Sequence, residues 1–150
     1  TILELAGVPI PKNMDGKSIL PLLKNTEKDI HTQLAFMNTY GVVPTQSLSC
    51  FTKEWKYTYW WFGDDEIKPC EELYNTVNDP LEMKNLAADP AYSSILKKMH
   101  AKYDKELKAW KKEAVEYNNY QQYGTLFDRA IPWDQKILLS KKLQSEAAKD

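Results

Sequence analysis

Seven consecutive residues, Trp55-Lys56-Tyr57-Thr58-Tyr59-Trp60-Trp61, restrict what this chain can fold into more than any other stretch. They read as an aromatic strand, and the flanking segments read as further strands joined by short turns. Residues 30–40 form a first strand, in which Ile30, Thr32, Leu34 and Phe36 alternate with polar or small residues. Residues 46–52 and 55–62 form a hairpin with Thr52-Lys53-Glu54 near its turn. Gly63-Asp64-Asp65-Glu66 makes a second turn, and residues 71–76 a fourth strand. Four successive strands with short connections predict an antiparallel sheet.

Helical signals take over after the sheet. Asp79-Pro80-Leu81-Glu82 has Asp at N-cap, Pro at N1 and Glu at N3, which predicts a short helix opened by a capping box. Asp89-Pro90 repeats the start signal. From there Ile95, Met99, Tyr103, Leu107, Trp110 and Ala114 recur every three or four residues, with lysines between them. That pattern predicts an amphipathic helix of about 25 residues laying one stripe on the sheet. Its lysines read as a solvated face. Tyr117, Tyr120, Tyr123, Phe127 and Trp133 show no clear period and read as a strap returning aromatics to the body. Asp134 caps a last helix over 134–147. The fold class is α+β: a four-stranded antiparallel sheet packed by one long C-terminal amphipathic helix, with short flanking helices.

The opening segment has a different character. Ile2, Leu3, Leu5 and Ala6 end at Gly7, a natural residue just past a helix C-terminus. Val8-Pro9-Ile10-Pro11 is extended, since proline disfavours helix in the residue before it. Residues 18–23 allow one helical turn. Many apolar residues with few local partners predict packing against a further body. The expected division is 1–24 as the tail end of a preceding domain, 25–115 as a subdomain, and 116–150 as strap and terminal helix.

Composition excludes several classes. Lys and Arg number 20 against 21 Asp and Glu, so no field points to nucleic acid or an anionic membrane. No apolar run approaches the ~20 residues of a membrane helix. Cys50 and Cys70 flank the aromatic strand; two buried free thiols are the expectation, with a bridge closing a loop of about 20 residues as the alternative. His31 and His100 lack a second ligand at metal spacing, and the Asp64-Asp65-Glu66 cluster reads as a solvated turn. There is no glycine-rich phosphate loop and no Gly-x-Ser-x-Gly elbow.

Leu5-Ala6-Gly7, Gly16-Lys17-Ser18-Ile19-Leu20, Lys56-Tyr57, Glu72-Leu73-Tyr74, Asp79-Pro80-Leu81-Glu82 and Asn85-Leu86-Ala87 occur in an order that resembles the C-terminal region of the sulfatase family. The resemblance covers most of residues 1–115. It implies a C-terminal subdomain of a sulfuric-ester hydrolase acting on sulfated glycans or aryl sulfates, and a missing N-terminal catalytic domain as partner. The tail Tyr123-Gly124-Thr125-Leu126-Phe127-Asp128-Arg129, with Ile131-Pro132-Trp133, looks like tails of bacterial glycan sulfatases, including N-acetylglucosamine-6-sulfatase-like ones. The family implies a parent that uses formylglycine and a divalent cation, usually calcium, and that is periplasmic or secreted.

Two departures limit the carry-over. Phe51-Thr52 stands where many relatives have Arg-Thr. The Cys/Ser-x-Pro-x-Arg motif that yields formylglycine is absent, because Phe51-Thr52-Lys53-Glu54 follow Cys50 and Glu71-Glu72-Leu73-Tyr74 follow Cys70. No residue is therefore assigned a catalytic or metal-binding role, and the chain alone is expected to be inactive. Loops on a rigid sheet are common binding positions, so 38–46 and 63–68 are the candidate walls of a substrate pocket. His31, Tyr40 and Trp61 are the candidate substrate contacts. Self-association through residues 1–24 is expected of the isolated chain. The rival functions are a stand-alone carbohydrate-binding module, with Tyr59, Trp60 and Trp61 as a platform, and a protein-interaction domain. In the former only one of Trp60 and Trp61 could serve, because adjacent strand residues face opposite sides.

Overall fold

The computed structural model describes residues 1–150 except 13, 15, 27, 28, 40–44, 65, 115–119 and 148–150. The chain forms two compact units, Thr1–Thr32 and Gln33–Asp150.

The first unit holds two short helices, α1 (Ile2–Leu5) and α2 (Leu20–Lys24). Gly7 ends α1 at φ 67°, and Val8 N–H donates back to the Leu3 carbonyl at 2.9 Å. This left-handed C-cap favours the one residue without a Cβ. Pro21 sits in the first turn of α2, where its missing N–H costs nothing. Ile19 N–H donates to Thr1 Oγ1 at 2.7 Å, tying the two helices together. Ile2, Leu5 and Leu23 are exposed.

The second unit contains the sheet: β1 (Leu34–Asn38), β2 (Thr45–Phe51), β3 (Trp55–Phe62) and β4 (Cys70–Asn75), in the order β1-β2-β3-β4 with every pair antiparallel. The register places Met37 beside Leu48 beside Tyr59, and Cys50 beside Tyr57 beside Leu73. These residues and Trp61 share one face by strand parity. Helix α3 (Ser93–Glu113) lays Met99, Tyr103 and Leu107 in the same core, so the expected helix-on-sheet α+β architecture is present. Each large side chain buried there contributes roughly 1.5–3 kcal/mol.

The core extends beyond α3. Helices α4 (Tyr120–Leu126) and α5 (Trp133–Ala147) add Leu126 and Ile137 to it, and Phe127, just past the end of α4, joins them. The aromatic strap of the sequence reading therefore contains a helix. Gly124 lets α4 approach closely: a Cβ there would lie 2.8 Å from Lys111 Cγ and 3.1 Å from Trp110 Cζ3.

Three expectations are corrected in detail. Asp79 to Glu82 is a turn and not a short helix: Glu82 has φ 54°, a left-handed conformation that no α-helix continues through. The Asp79 carboxylate instead accepts from Met83 N–H at 3.0 Å and Lys84 N–H at 2.9 Å, while Glu82 pairs with Lys56. The first strand starts at Leu34, so Ile30 and Thr32 lie outside it. In that strand Leu34 and Phe36 are exposed, while Ala35 and Met37 pair with the inward Cys50 and Leu48. Both cysteines are free as expected, but only Cys50 is buried: Cys70 opens the edge strand β4 and is exposed. Cys50 lies opposite Tyr57 and Cys70 opposite Trp60, on different sides of β3, so their strands are not neighbours.

Candidate functional site

Of the sequence candidates, His31 lies in the first unit and Trp61 in the second. His31 is exposed. Tyr40 and most of the 38–46 loop lie outside the described residues. Trp61 is 0% exposed, its Nε1–H has no hydrogen-bond acceptor among the described residues, and Lys136 Nζ stands 5.7 Å from its ring centre. Tyr59 is buried on the same face. Trp60 points to the other face, where its Nε1–H donates to Glu72 at 2.7 Å and its ring stacks near Phe62. The three rings thus do not form one platform, as strand parity requires. In the 63–68 turn, Asp64 Oδ1 accepts from the backbone N–H groups of Glu66 and Ile67, closing the turn on itself.

The densest polar cluster was not anticipated. It lies where β3, β4, α3 and the 127–133 segment meet. Glu71 Oε1 accepts from Tyr57 Oη at 2.6 Å and lies 3.5 Å from an Arg129 guanidinium nitrogen. Arg129 NH2 donates to both Asp104 oxygens, at 3.0 and 2.8 Å, and its guanidinium carbon lies 5.9 and 5.7 Å from the centres of the Tyr57 and Tyr103 rings, which meet each other edge-on. A planar guanidinium suits this double role of ion pair and ring contact. His100 Nε2 is 3.2 Å from Glu71 Oε1 without hydrogen-bond alignment. Burial first, and the neighbouring Arg129 second, hold its pKa below the ordinary histidine value. Burial and the Glu71 carboxylate push the Tyr57 hydroxyl far above the usual phenol range. None of these groups is poised as a nucleophile. The cluster ties helix, sheet and C-terminal segment together.

A second buried pair lies beside it. Lys136 is fully buried, donates from Nζ to Tyr59 Oη at 2.9 Å, and sits 4.8 Å over the Tyr59 ring. Burial lowers its pKa from 10.5 to about 8, and raises that of Tyr59 to about 12. Next to these pairs opens a cleft of about 610 Å³, lined by the start of β4, the turn at 85–88 and the 129–133 segment. A smaller cleft of about 420 Å³ runs between α3 and residues 128–130. Among the described residues no three His, Cys, Asp or Glu side chains converge as a metal site.

The family model for N-sulphoglucosamine sulphohydrolase, C-terminal, matches residues 1–113. A Delta 4,5-hexuronate-2-O-sulfatase of Bacteroides thetaiotaomicron is 35% identical over 107 residues, covering 69% of this chain and 21% of that protein. An ulvan-active sulfatase of Formosa agariphila is 30% identical over 131 residues, covering 66% and 25%. The solved structure of a 2-O GAG sulfatase superposes with a TM-score of 0.60 at 32% identity, over 75% of this chain and 24% of that one. The chain thus spans about a quarter or less of the length of these relatives.

Proposed function

The chain belongs to the N-sulphoglucosamine sulphohydrolase C-terminal family, and on that premise we propose that it serves as the C-terminal subdomain of a longer sulfuric-ester hydrolase acting on sulfated glycans. The observation that carries this is the match across residues 1–113, which spans both the opening helices and the sheet with its long helix. The relatives' names point to glycans as the substrate class: a hexuronate 2-O-sulfate, ulvan and a glycosaminoglycan.

In this reading residues 1–24 are the tail end of the catalytic domain, which is the partner this chain requires. The exposed Ile2, Leu5 and Leu23 support such a role, since apolar surface of that kind marks a contact. In isolation the same surface drives self-association. An exported parent, periplasmic or secreted, fits its glycan-acting relatives; no helix among the described residues is long and apolar enough to cross a membrane.

The chemistry of the parent resides outside these residues. Formylglycine would supply the attacking hydrated aldehyde and a divalent cation, calcium in this reading, would polarise the sulfate. The described residues fit neither group. Cys50 is buried in the middle of β2, with its thiol pushed up to about 11 by burial, and neither cysteine lies in the required motif. No step is assigned to this chain. Its contribution is support for the catalytic domain and one wall of the substrate pocket, with the 38–46 and 63–68 loops, His31 and Tyr40 as the contacts. The buried Trp61 would act on that wall only by backing the strand.

Two experiments test the reading. The upstream reading frame is expected to encode Cys/Ser-x-Pro-x-Arg, with mass spectrometry of the expressed parent finding an aldehyde at its first position; a frame without the motif overturns the assignment. In the intact parent, Tyr40→Ala is expected to raise KM with folding retained. Unchanged kinetics would remove Tyr40 from the pocket wall.

A further inference from the structure

We propose that the face of the sheet turned away from α3 is the surface on which the parent's catalytic domain docks, so that the sheet is held between that domain and its own helices. The choice of partner rests on the sulfatase reading above; the position and character of the surface rest on the sheet itself. The register sets Leu34, Phe51, Lys56 and Tyr74 in one row and Phe36, Ser49, Thr58 and Glu72 in the next. By strand parity these side chains point away from Tyr57 and Tyr59, whose rings meet Tyr103 of α3. Trp60 and Phe62 continue the face, their rings stacked 6.5 Å apart. Leu34 and Phe36 are more than half exposed, at 54% and 63%, and Phe51, Trp60, Phe62 and Tyr74 are partly exposed.

Two properties suit this face to being covered rather than solvated. Its polar side chains answer one another: Ser49 Oγ and Thr58 Oγ1 lie 2.8 Å apart, Trp60 Nε1 donates to Glu72, and Lys56 pairs with Glu82. Excluding water therefore leaves each of these groups with a partner, the condition under which burying polar groups costs least. The second property is the edge strand β1, Leu34-Ala35-Phe36-Met37-Asn38, which carries no charge and no proline. Solvated edges are normally protected by such residues.

Area decides the occupant. Four strands about 4.8 Å apart, over the five residues of β1 at about 3.4 Å each, give a footprint of roughly 300 Å². Two copies pairing face to face would bury about 600 Å², half of what the smallest stable interfaces between separate chains bury. That area suffices between domains of one chain, whose interfaces start at about 600 Å² and whose covalent link keeps the partners at high effective concentration. The relatives contain such a domain's worth of chain: the match covers 21% and 25% of two of them, and its family model describes a C-terminal part. With Lys56 and Glu72 both paired, the surface that meets this face is apolar and uncharged.

The test is alkylation of Phe36→Cys by iodoacetamide, read by mass spectrometry of its peptide, in the 150-residue chain diluted until monomeric and in the full-length parent. The thiol is expected to react freely in the chain and at least about tenfold more slowly in the parent, as a site exposed only by transient opening does. Leu34→Cys, on the same strand and face, is expected to behave alike. Leu138→Cys, at a similarly exposed apolar position on α5, is expected to react at one rate in both proteins. Equal rates in chain and parent at Phe36→Cys and Leu34→Cys overturn the proposal, as does slowing at Leu138→Cys as strong as theirs. Slowing in the chain by itself that grows with its concentration would make the occupant a second copy and also overturn it. If Phe36→Cys reacts freely in a parent that releases sulfate, the docking proposal alone falls. If it is protected in a parent that releases none, the enzymatic reading falls and the docking surface stands.

Discussion

Lys136 Nζ donates to Tyr59 Oη at 2.9 Å across 77 positions of chain, both side chains buried between α5 and the sheet. An amine in that position carries a free-energy cost in its charged form, because burial removes its water. The pair fixes α5 on the core and makes its docking sensitive to pH.

The sign follows from the shift. The Lys136 pKa falls from 10.5 to about 8 on folding, so between those values the unfolded chain binds more protons and stability rises with pH. Below about pH 8 the contribution is lost in full. The difference across the window is on the order of 3 kcal/mol. Thermal unfolding at pH 7.5 and pH 10 is expected to show wild type gaining stability relative to Lys136→Met, in which this titration is absent. Parallel pH profiles for the two proteins would contradict the burial of the amine.

The core does not end where the family match ends. Leu126, Phe127 and Ile137 complete it, and Lys136 covers Trp61. Deleting residues 114–150 is therefore expected to abolish cooperative urea unfolding and to bind a hydrophobic dye. A cooperative transition retained by residues 1–113 would show that the C-terminal helices are dispensable.

Tyr103 Oη donates to the Phe127 carbonyl at 2.7 Å in the interior. Tyr103→Phe leaves that carbonyl without this donor and is expected to cost about 1–3 kcal/mol in urea denaturation. A change within experimental error would mean that the 127–133 segment holds without this bond.

At Gly124 two effects oppose each other. Alanine would improve helix propensity by about 1 kcal/mol. Its Cβ would, however, press on Lys111 Cγ and Trp110 Cζ3. Lys111 also pairs with Asp128 at 2.6 Å, which limits how far it can shift. Crowding is expected to win, giving a net loss of about 1 kcal/mol. Combining it with Lys111→Ala should show positive coupling, measured by a double-mutant cycle.

What could be read ahead of the structure was the part written in local periodicity. The Trp55–Phe62 strand and the stripe of Met99, Tyr103 and Leu107 announce themselves because one face of each repeats. The cap signal at Asp79 was misread because an aspartate accepting two N–H groups looks the same before a helix and in a turn; Glu82 decides between them only through its backbone angle. Helix α4 was hidden by Gly124 within it and depends on close packing against Trp110. The Arg129–Asp104–Glu71 cluster and the buried Lys136 had no local signal, since a lysine on a mostly polar helix reads as solvated. Their partners lie 25 to 77 residues away, and only the folded chain brings them together.

Sulfate release by the full-length parent is the most direct measurement of what this chain belongs to. Incubated with sulfated disaccharides, the parent is expected to free inorganic sulfate in step with desulfated product, and to lose that activity when its formylglycine-forming residue becomes alanine. No release from any sulfated sugar or aryl sulfate, or release indifferent to that substitution, would contradict the assignment of this chain to a sulfuric-ester hydrolase.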